Sequence, residues 1–445
     1  MPAESRTAAV VMAAGLGTRM RSSVPKHFHP LLGRRLVDWV VEAARGAGAD
    51  PVVVVTSPDA RDAFGDGVTV AVQEEPRGTG DAVRAAEQAL AGFDGDVLVL
   101  NGDVPALTGE LLDALVATHR REGAAGTVLS FEPADSRQYG RIVRDADGHL
   151  AKIVEAGDAT PAELELTEVN SGIYVFRADK LWPALARLQP QNVQGELYVT
   201  DTLGFLVADG DAVAVHVAPD PFEVEGINTR VELAAANAYL RDRINRAHML
   251  AGVTIVDPAT TWIDPTVELE PDVTIHPFVT LRGATSVATG AVVNSHTDAV
   301  DARIGDGATV GPFCYLRPGT VLEARSKAGT FVEVKNSRIG PGAKVPHQSY
   351  IGDAEIGEET NIGAGAITAN FPHKPGEPKG RTTIGKDVRV GVHNTFVAPV
   401  EIGDGAWTAA GSVIRKDVPA DALALNVGRA RQENKEGHAA RRRSE

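Results

Sequence analysis

At 445 residues the chain is longer than a single hydrophobic core usually grows, so two or more domains are expected. Its 59 acidic residues outnumber 44 Lys and Arg, and the net charge of -15 argues against nonspecific binding to nucleic acid or an acidic membrane. Cys314 is alone and cannot form an intrachain disulfide. The apolar run at residues 8–14 is broken too early by Gly15 to act as a signal peptide, and no stretch nears the ~20 apolar residues of a membrane span. A cytoplasmic protein is expected, one that meets anionic ligands through a few local cations.

The first half alternates short apolar runs with helical patterns. Strands are predicted at residues 8–12, 51–56, 96–100 and 125–131, and helices at 37–47, 80–91 and 109–121. That alternation predicts a mostly parallel α/β sheet with ligands at the carboxyl ends of its strands. Directly after the first strand comes Met12-Ala-Ala-Gly15-Leu-Gly17-Thr-Arg19-Met20, then Pro25-Lys26. Glycines there let backbone N–H groups approach a phosphate chain, and Arg19 and Lys26 add the cationic charge that a polyphosphate needs. Met20 stands at the third glycine position of a dinucleotide fingerprint, and no Gly-Lys-Ser/Thr follows, so neither of those loops is present. Alone, such a loop reads equally well as a tight turn. Its company is Asn101-Gly-Asp103, at the end of a strong β run. A carboxylate there faces the ligand crevice and is a hard donor suited to Mg²⁺ on phosphates, or else it caps the next helix. Asn228, in Glu223-Val-Glu-Gly-Ile-Asn, offers an amide oxygen as a second donor.

Residues 230–250 read as a polar, Ala-rich linker helix, and beyond them the rhythm changes. An apolar residue returns every sixth position in Ile384, Val390, Phe396 and Ile402, and again in Ile339, Val345 and Ile351, often with Gly following. A period of six fits neither a helix nor a hairpin. It fits short strands that turn a corner after each hexad, with the apolar residue inward and a small residue where backbones crowd: a parallel β-helix. Residues one coil apart stack, so Arg317, Lys335, His347, Tyr350, Asn361 and Ala364 are expected to converge on one face. After Ile414 the hexads end, and a polar tail runs from residue 426 to 445.

Together these fragments resemble the bifunctional N-acetylglucosamine-1-phosphate uridylyltransferase / glucosamine-1-phosphate acetyltransferase family, over nearly the whole chain and with both halves in the same order. The resemblance implies a Rossmann-like nucleotidyltransferase domain (residues 1–229), a linker helix (230–250) and a left-handed β-helix acetyltransferase domain (251–445), packed as a homotrimer. It implies synthesis of UDP-N-acetylglucosamine, a peptidoglycan precursor, with Mg²⁺ and acetyl-CoA. By matching motif, Ala13, Ala14, Gly15 and Lys26 would hold the nucleotide, and Gln73, Gly78 and Thr79 would read its base. Asp103 and Asn228 would hold Mg²⁺, while Gly140, Glu155 and Asn170 would bind the amino-sugar. Lys26 and Arg19 would neutralise charge during uridylyl transfer. In the β-helix His347 would be the general base, Arg317 and Lys335 the phosphate grip, and Tyr350 and Asn361 the sugar contacts. Ala364, Asn370, Phe371, Ala410 and Arg429 match the coenzyme A positions.

The chain departs from the family pattern at a few positions. Asn101 stands where relatives usually carry an aromatic. Asn370-Phe371-Pro372-His373 replaces Asn-Tyr-Asp-Gly, the loop at 374–381 is longer, and Val392 replaces a Ser that contacts the acetyl donor. The acceptor side is thus expected intact and the donor side altered. A nucleotidyltransferase whose β-helix only trimerises is the alternative. A nucleotide-sugar binder without turnover would not need the Asp103 and Asn228 donor pair, and His347, His373 and His393 do not follow the coil repeat well enough for a zinc hydratase.

Overall fold

The computed structural model describes residues 6–426, apart from Leu16, Asp66, residues 137–138 and residues 373–375. By internal contacts the chain divides into two compact units, Met1–Leu240 and Arg241–Glu445.

The first unit is built on a nine-stranded sheet: β1 (Thr7–Met12), β2 (Val52–Thr56), β3 (Thr69–Val72), β4 (Asp96–Asn101), β5 (Gly126–Phe131), β6 (Arg141–Arg144), β7 (Leu150–Val154), β8 (Val169–Arg177) and β9 (Val213–Val217). Its order is β9-β5-β8-β4-β1-β2-β3, with the β6–β7 hairpin hung on β8. Every residue of β1, β2 and β5 is buried, because helices cover both faces and alternation is lost. Helices α1 (Leu36–Gly46) and α3 (Gly109–Arg121) press Val40 and Leu112 onto one face. Helices α2 (Thr79–Ala85), α4 (Ala178–Leu185) and α5 (Thr200–Ala208) press Val83, Leu181 and Leu203 onto the other.

Two details differ from the sequence reading. Strand β8 runs antiparallel to both β4 and β5, because the chain reaches it from a hairpin and not through a helical crossover. The helix expected over 80–91 stops at Ala85, and a 3-10 turn at Gln88–Leu90 follows, which turns Leu90 into the core. Helix α6 (Arg230–Leu250) follows β9 and contains the boundary between the units. Among the described residues, no helix is long and apolar enough to cross a membrane.

The second unit is the β-helix, in which each short strand pairs in parallel with the strand one coil on. Three faces follow from the register. On face A Lys327 pairs with Lys344, which bridges to Asn361, and Asn361 to Arg389. On face B Tyr315 pairs with Glu333, Glu333 with Tyr350, and Tyr350 with Ile367. On face C Arg338 pairs with Glu355, and Glu355 with Thr383. Inward residues such as Leu316, Val334, Ile351 and Phe396 stack into one continuous core. Where a glycine follows an inward residue, it is needed for close approach. A Cβ on Gly363 would lie 2.4 Å from the carbonyl oxygen of Gly391, and one on Gly391 would lie 2.6 Å from the Ala410 nitrogen.

One corner overturns the expectation of small residues. Between faces A and B, the left-handed positions are taken by Phe278, His296, Phe313, Phe331 and Gln348 before Gly365 is reached. Such a backbone costs a side-chain-bearing residue ~1–2 kcal/mol. Stacking offsets part of it: ring centroids are 4.8 Å apart for Phe278–His296, 4.6 Å for His296–Phe313 and 5.3 Å for Phe313–Phe331.

Candidate active sites

In the first unit the carboxyl ends of β1 and β4 meet. Gly102 N–H donates to the Met12 carbonyl at 2.9 Å, which brings the glycine-rich loop beside Asp103. The Lys26 ammonium contacts the Asp103 carboxylate and donates to Asn228 Oδ1 at 3.1 Å. Burial raises the Asp103 carboxyl, but the Lys26 charge, with help from His27, outweighs it and holds the group below the usual carboxylate range. Two hard oxygens from distant parts of the chain thus converge on one cation.

Two cavities share this border. A cleft of about 420 Å³ is lined by Ala14, Gly15, Lys26, Gln73, Gly78 and Thr79, together with Asn101 and Asp103. Its neighbour, about 310 Å³, is lined by Gly140, Glu155, Asn170 and Asn228, again with Asn101, Thr79 and Asp103. Ala13 lies buried just behind them, its N–H given to the Val55 carbonyl at 2.7 Å. Arg19 sits on an exposed 3-10 turn and lines neither cavity.

Gln73 is buried, and both hydrogens of its amide nitrogen are committed, to the Gly78 carbonyl at 3.2 Å and to Asp81 at 3.1 Å. Its oxygen is left as the group that can meet a ligand. Gly78 is required there: its φ is 116°, and a Cβ would lie 2.5 Å from the Leu197 carbonyl oxygen. In the second cavity Asn170 N–H donates to the Gly140 carbonyl at 2.8 Å and its Nδ2 donates to the Tyr174 hydroxyl at 2.8 Å. Burial, then the nearby Asp201 and Asp158 charges, pushes the Glu155 carboxyl upward. Asn101 donates to the Ser171 carbonyl at 3.3 Å, in the space that a Cβ on Gly172 would take. The position of the missing aromatic is therefore a polar divider between the cavities.

The sequence reading passed over His27. It is 4% exposed and lines the first cleft beneath Gly15 and Gly102, where burial pushes its pKa down to about 4. Its place directly after Lys26 was the available signal. A larger cavity, about 680 Å³, opens at the opposite ends of the strands, around Asp96, Arg120, Arg177 and Asp179. Those cations are already paired, Arg120 with Asp96 at 2.7 Å and Arg177 with Asp179 at 2.7 Å, and it lacks the glycine-rich loop.

The β-helix separates residues that were expected on one face. His347 lies at the corner between faces A and B, and the coils above it stack Ala364, Val392 and Ala410. Backbone bonds fix this column: Gly365 N–H to the Gln348 carbonyl at 3.0 Å, His393 to Ala364 at 2.7 Å, and Gly411 to Val392 at 2.8 Å. Tyr350 stands on face B. At the far edge of that face are Arg317, Lys335 and Asn370, whose amide reaches both Asp353 and, at 3.5 Å, the Tyr350 hydroxyl. Asn361 is on face A instead, because its strand turns the corner only after Ile362. Phe371 is 76% exposed, and Arg429 and His373 lie outside the described residues.

Lys379, which the sequence reading left unassigned in the long loop, faces Lys335. Its close approach and its charge, more than any burial, lower the Lys335 ammonium from its usual value. Two ammonium groups, with Arg317 nearby, concentrate positive charge at that edge. The signal was a lysine in a loop that departs from the hexad rhythm.

Comparison with known proteins covers both halves. Residues 9–223 match the family model of the MobA-like NTP transferase domain, and residues 381–416 match that of the hexapeptide repeat of succinyl-transferase. Proteins named bifunctional protein GlmU from Corynebacterium efficiens, Streptomyces coelicolor and Kineococcus radiotolerans are 46%, 48% and 49% identical to it. The alignments cover 99%, 100% and 97% of this chain, and 95%, 96% and 91% of the three relatives.

Proposed function

The chain belongs to the family of bifunctional GlmU proteins, and on that premise we propose that it makes UDP-N-acetylglucosamine by two successive transfers. Glucosamine 1-phosphate is first acetylated on its amine by acetyl-CoA, and the product then takes a uridylyl group from UTP, releasing pyrophosphate. The observation that carries the second step is the pair of cavities that meet at Asp103 and Asn101.

For uridylyl transfer the protein has little covalent work to do; it positions two phosphates and neutralises charge. Gly15 and Lys26 would hold the triphosphate, and the free oxygen of Gln73 would accept the N3–H of uracil. Glu155, Asn170 and the Gly140 backbone would hold the amino-sugar with its 1-phosphate turned toward Asp103. The Lys26 ammonium between Asp103 and Asn228 supports the reading that their oxygens suit a cation. These two residues would hold Mg²⁺, which when bound supplies charge neutralisation to the phosphates. Lys26 lies within reach of the same phosphates and would screen the leaving pyrophosphate.

For acetyl transfer, His347 would take the proton from the amine as its nitrogen attacks the thioester carbonyl and the thiol of coenzyme A departs. Arg317, Lys335 and Lys379 would grip the sugar phosphate, and Tyr350 would flank the ring. The donor would lie along the Ala364, Val392 and Ala410 column. We place this site between neighbouring subunits of a homotrimer. Two observations support that assembly: Asn361 is on a different face from Tyr350, and the stacked Phe278, Phe313 and Phe331 are 49–64% exposed. The lone, buried Cys314 fits a reducing cytoplasm as the compartment of the reaction.

The test uses purified protein without UTP and measures thiol release from acetyl-CoA. Release that depends on glucosamine 1-phosphate is expected. No release, from protein that still joins N-acetylglucosamine 1-phosphate to UTP, would remove the first transfer and leave the β-helix as a scaffold.

A further inference from the structure

Face A carries a basic column that neither transfer has used. Lys327, Lys344 and Arg389 all point outward from it, with Asn361 between Lys344 and Arg389. Strands one coil apart are roughly 4.7–4.9 Å apart, so three rungs place the four side chains along about 14 Å. Among the described residues, none of the three cations makes an ion pair. On the other faces several cations meet a carboxylate one coil away: Arg282 with Asp298 at 2.6 Å, Arg317 with Glu333 at 2.8 Å, Arg338 with Glu323 at 3.0 Å and Arg381 with Glu355 at 2.7 Å. Like charges directly opposite each other on paired strands are destabilising. Lys327 and Lys344 are such a pair. Arg389 is also held in place, since its Nη1 donates to the Glu359 carbonyl at 2.7 Å. A row of cations without ion pairs, two of them opposed and the third held in place, is the arrangement expected of a surface that meets an anion.

The anion follows from Asn361. A site that joins Asn361 to His347 and Tyr350 must bring face A of one copy against the A–B corner of another. Whatever brings Asn361 into that cleft also brings its neighbours one rung on either side. We propose that Lys344 and Arg389, with Lys327 on the next rung, form a phosphate-binding column that each chain supplies to the acetyl-transfer site of a neighbouring copy. This rests on the intersubunit site proposed above. Both substrates of that site carry phosphate, the acceptor on its sugar and the donor on its nucleotide moiety. The planar guanidinium of Arg389 and the two ammonium groups suit phosphate oxygens as ligands.

The experiment compares the full-length wild type with the double variant Lys344→Glu/Arg389→Glu. Expected is a rise of about 10–100-fold in one KM, with kcat nearly unchanged, as the loss of one or two charge-assisted contacts predicts. A change confined to glucosamine 1-phosphate assigns the column to the acceptor, and one confined to acetyl-CoA assigns it to the donor. Unchanged values for both overturn the proposal. So does a trimer that falls apart, because the column would then be subunit glue.

A mixing arm tests the sharing between chains. Refolded together in equal amounts and assayed well below the raised KM, the double variant and His347→Ala should restore the wild-type KM in roughly a quarter of the sites, since each supplies the surface that the other lacks. No recovery overturns the proposal. If the wild type shows no acetyl transfer at all, the functional reading fails on its own. The column is then judged by calorimetric binding of coenzyme A and of glucosamine 1-phosphate. Binding about tenfold weaker in the double variant upholds it, and equal binding, or none to the wild type, overturns it.

Discussion

The two candidate sites are built on opposite plans. The uridylyl site is a crevice that one chain closes by itself: strand ends converge, and Lys26, Asp103 and Asn228 meet although their sequence separations are 77 and 202 residues. The acetyl site is a surface without walls. Its column at the A–B corner, its face-B residues and Asn361 point in different directions from one solenoid. A doubly wound sheet produces a pocket wherever its strands end. A solenoid produces flat ladders, and a pocket arises only where two ladders meet. One half of the molecule should therefore work as a monomer, and the other should not.

The largest expected effects separate the halves. Asp103→Ala should lower uridylyl transfer by on the order of 10³-fold, because it removes the carboxylate against which the cation and phosphates are placed. Acetyl transfer should stay at the wild-type level. His347→Ala should do the reverse, with a loss on the order of 10²–10⁴-fold in acetyl transfer, the usual range for a general base. Separate assays of the two products check both variants. If either substitution silences both reactions in a protein that is still folded, the two-site comparison is wrong.

A smaller effect probes the crowded cationic edge of the β-helix. Lys379→Ala should raise KM for glucosamine 1-phosphate by about 10-fold, the value of one charge-assisted contact, and leave the KM for acetyl-CoA alone. It should also relieve Lys335, whose ammonium is lowered chiefly by Lys379. In Lys379→Ala the proton on Lys335 should be held to higher pH than in the wild type. NMR titration of the lysine side chains reads that directly, and no upward movement would separate the two ammonium groups.

These residues also show where the sequence was readable. The glycine-rich loop and Asn101-Gly-Asp103 were visible because each motif is local and follows its own strand, so the chain order carried the geometry. The coil repeat was visible because its period matches neither a helix nor a hairpin. Asn361 was misplaced for a different reason: a period of six tells which residues point outward but not which of three faces they point from. Lys379 and the antiparallel β8 were missed because a loop and a hairpin return set them, and neither leaves a periodic trace. The aromatic corner was missed because only rings one coil apart can offset the cost of a left-handed backbone, and that pairing is invisible along the chain. Phe313→Ala should accordingly destabilise the β-helix by about 1–2 kcal/mol, since stacking on both His296 and Phe331 is lost. Thermal unfolding of the isolated transitions would read it.

The smallest perturbation gives the sharpest comparison, because the single cysteine belongs to one half only. Cys314 sits inside the β-helix, 3% exposed, and burial pushes its thiol up to about 12. A thiolate is the reactive species, so at pH 8 the native protein should resist a disulfide reagent almost completely. Labelling then requires the coil at Cys314 to open, and its rate reports the stability of the β-helix without any signal from the nucleotidyltransferase unit. Saturating UTP should leave that rate unchanged, whereas coenzyme A with glucosamine 1-phosphate should slow it, because a ligand stabilises only the unit whose folded form it binds. Equal slowing by both ligands would mean that the two halves open together, and the contrast between a self-contained crevice and a partner-dependent surface would have to be abandoned.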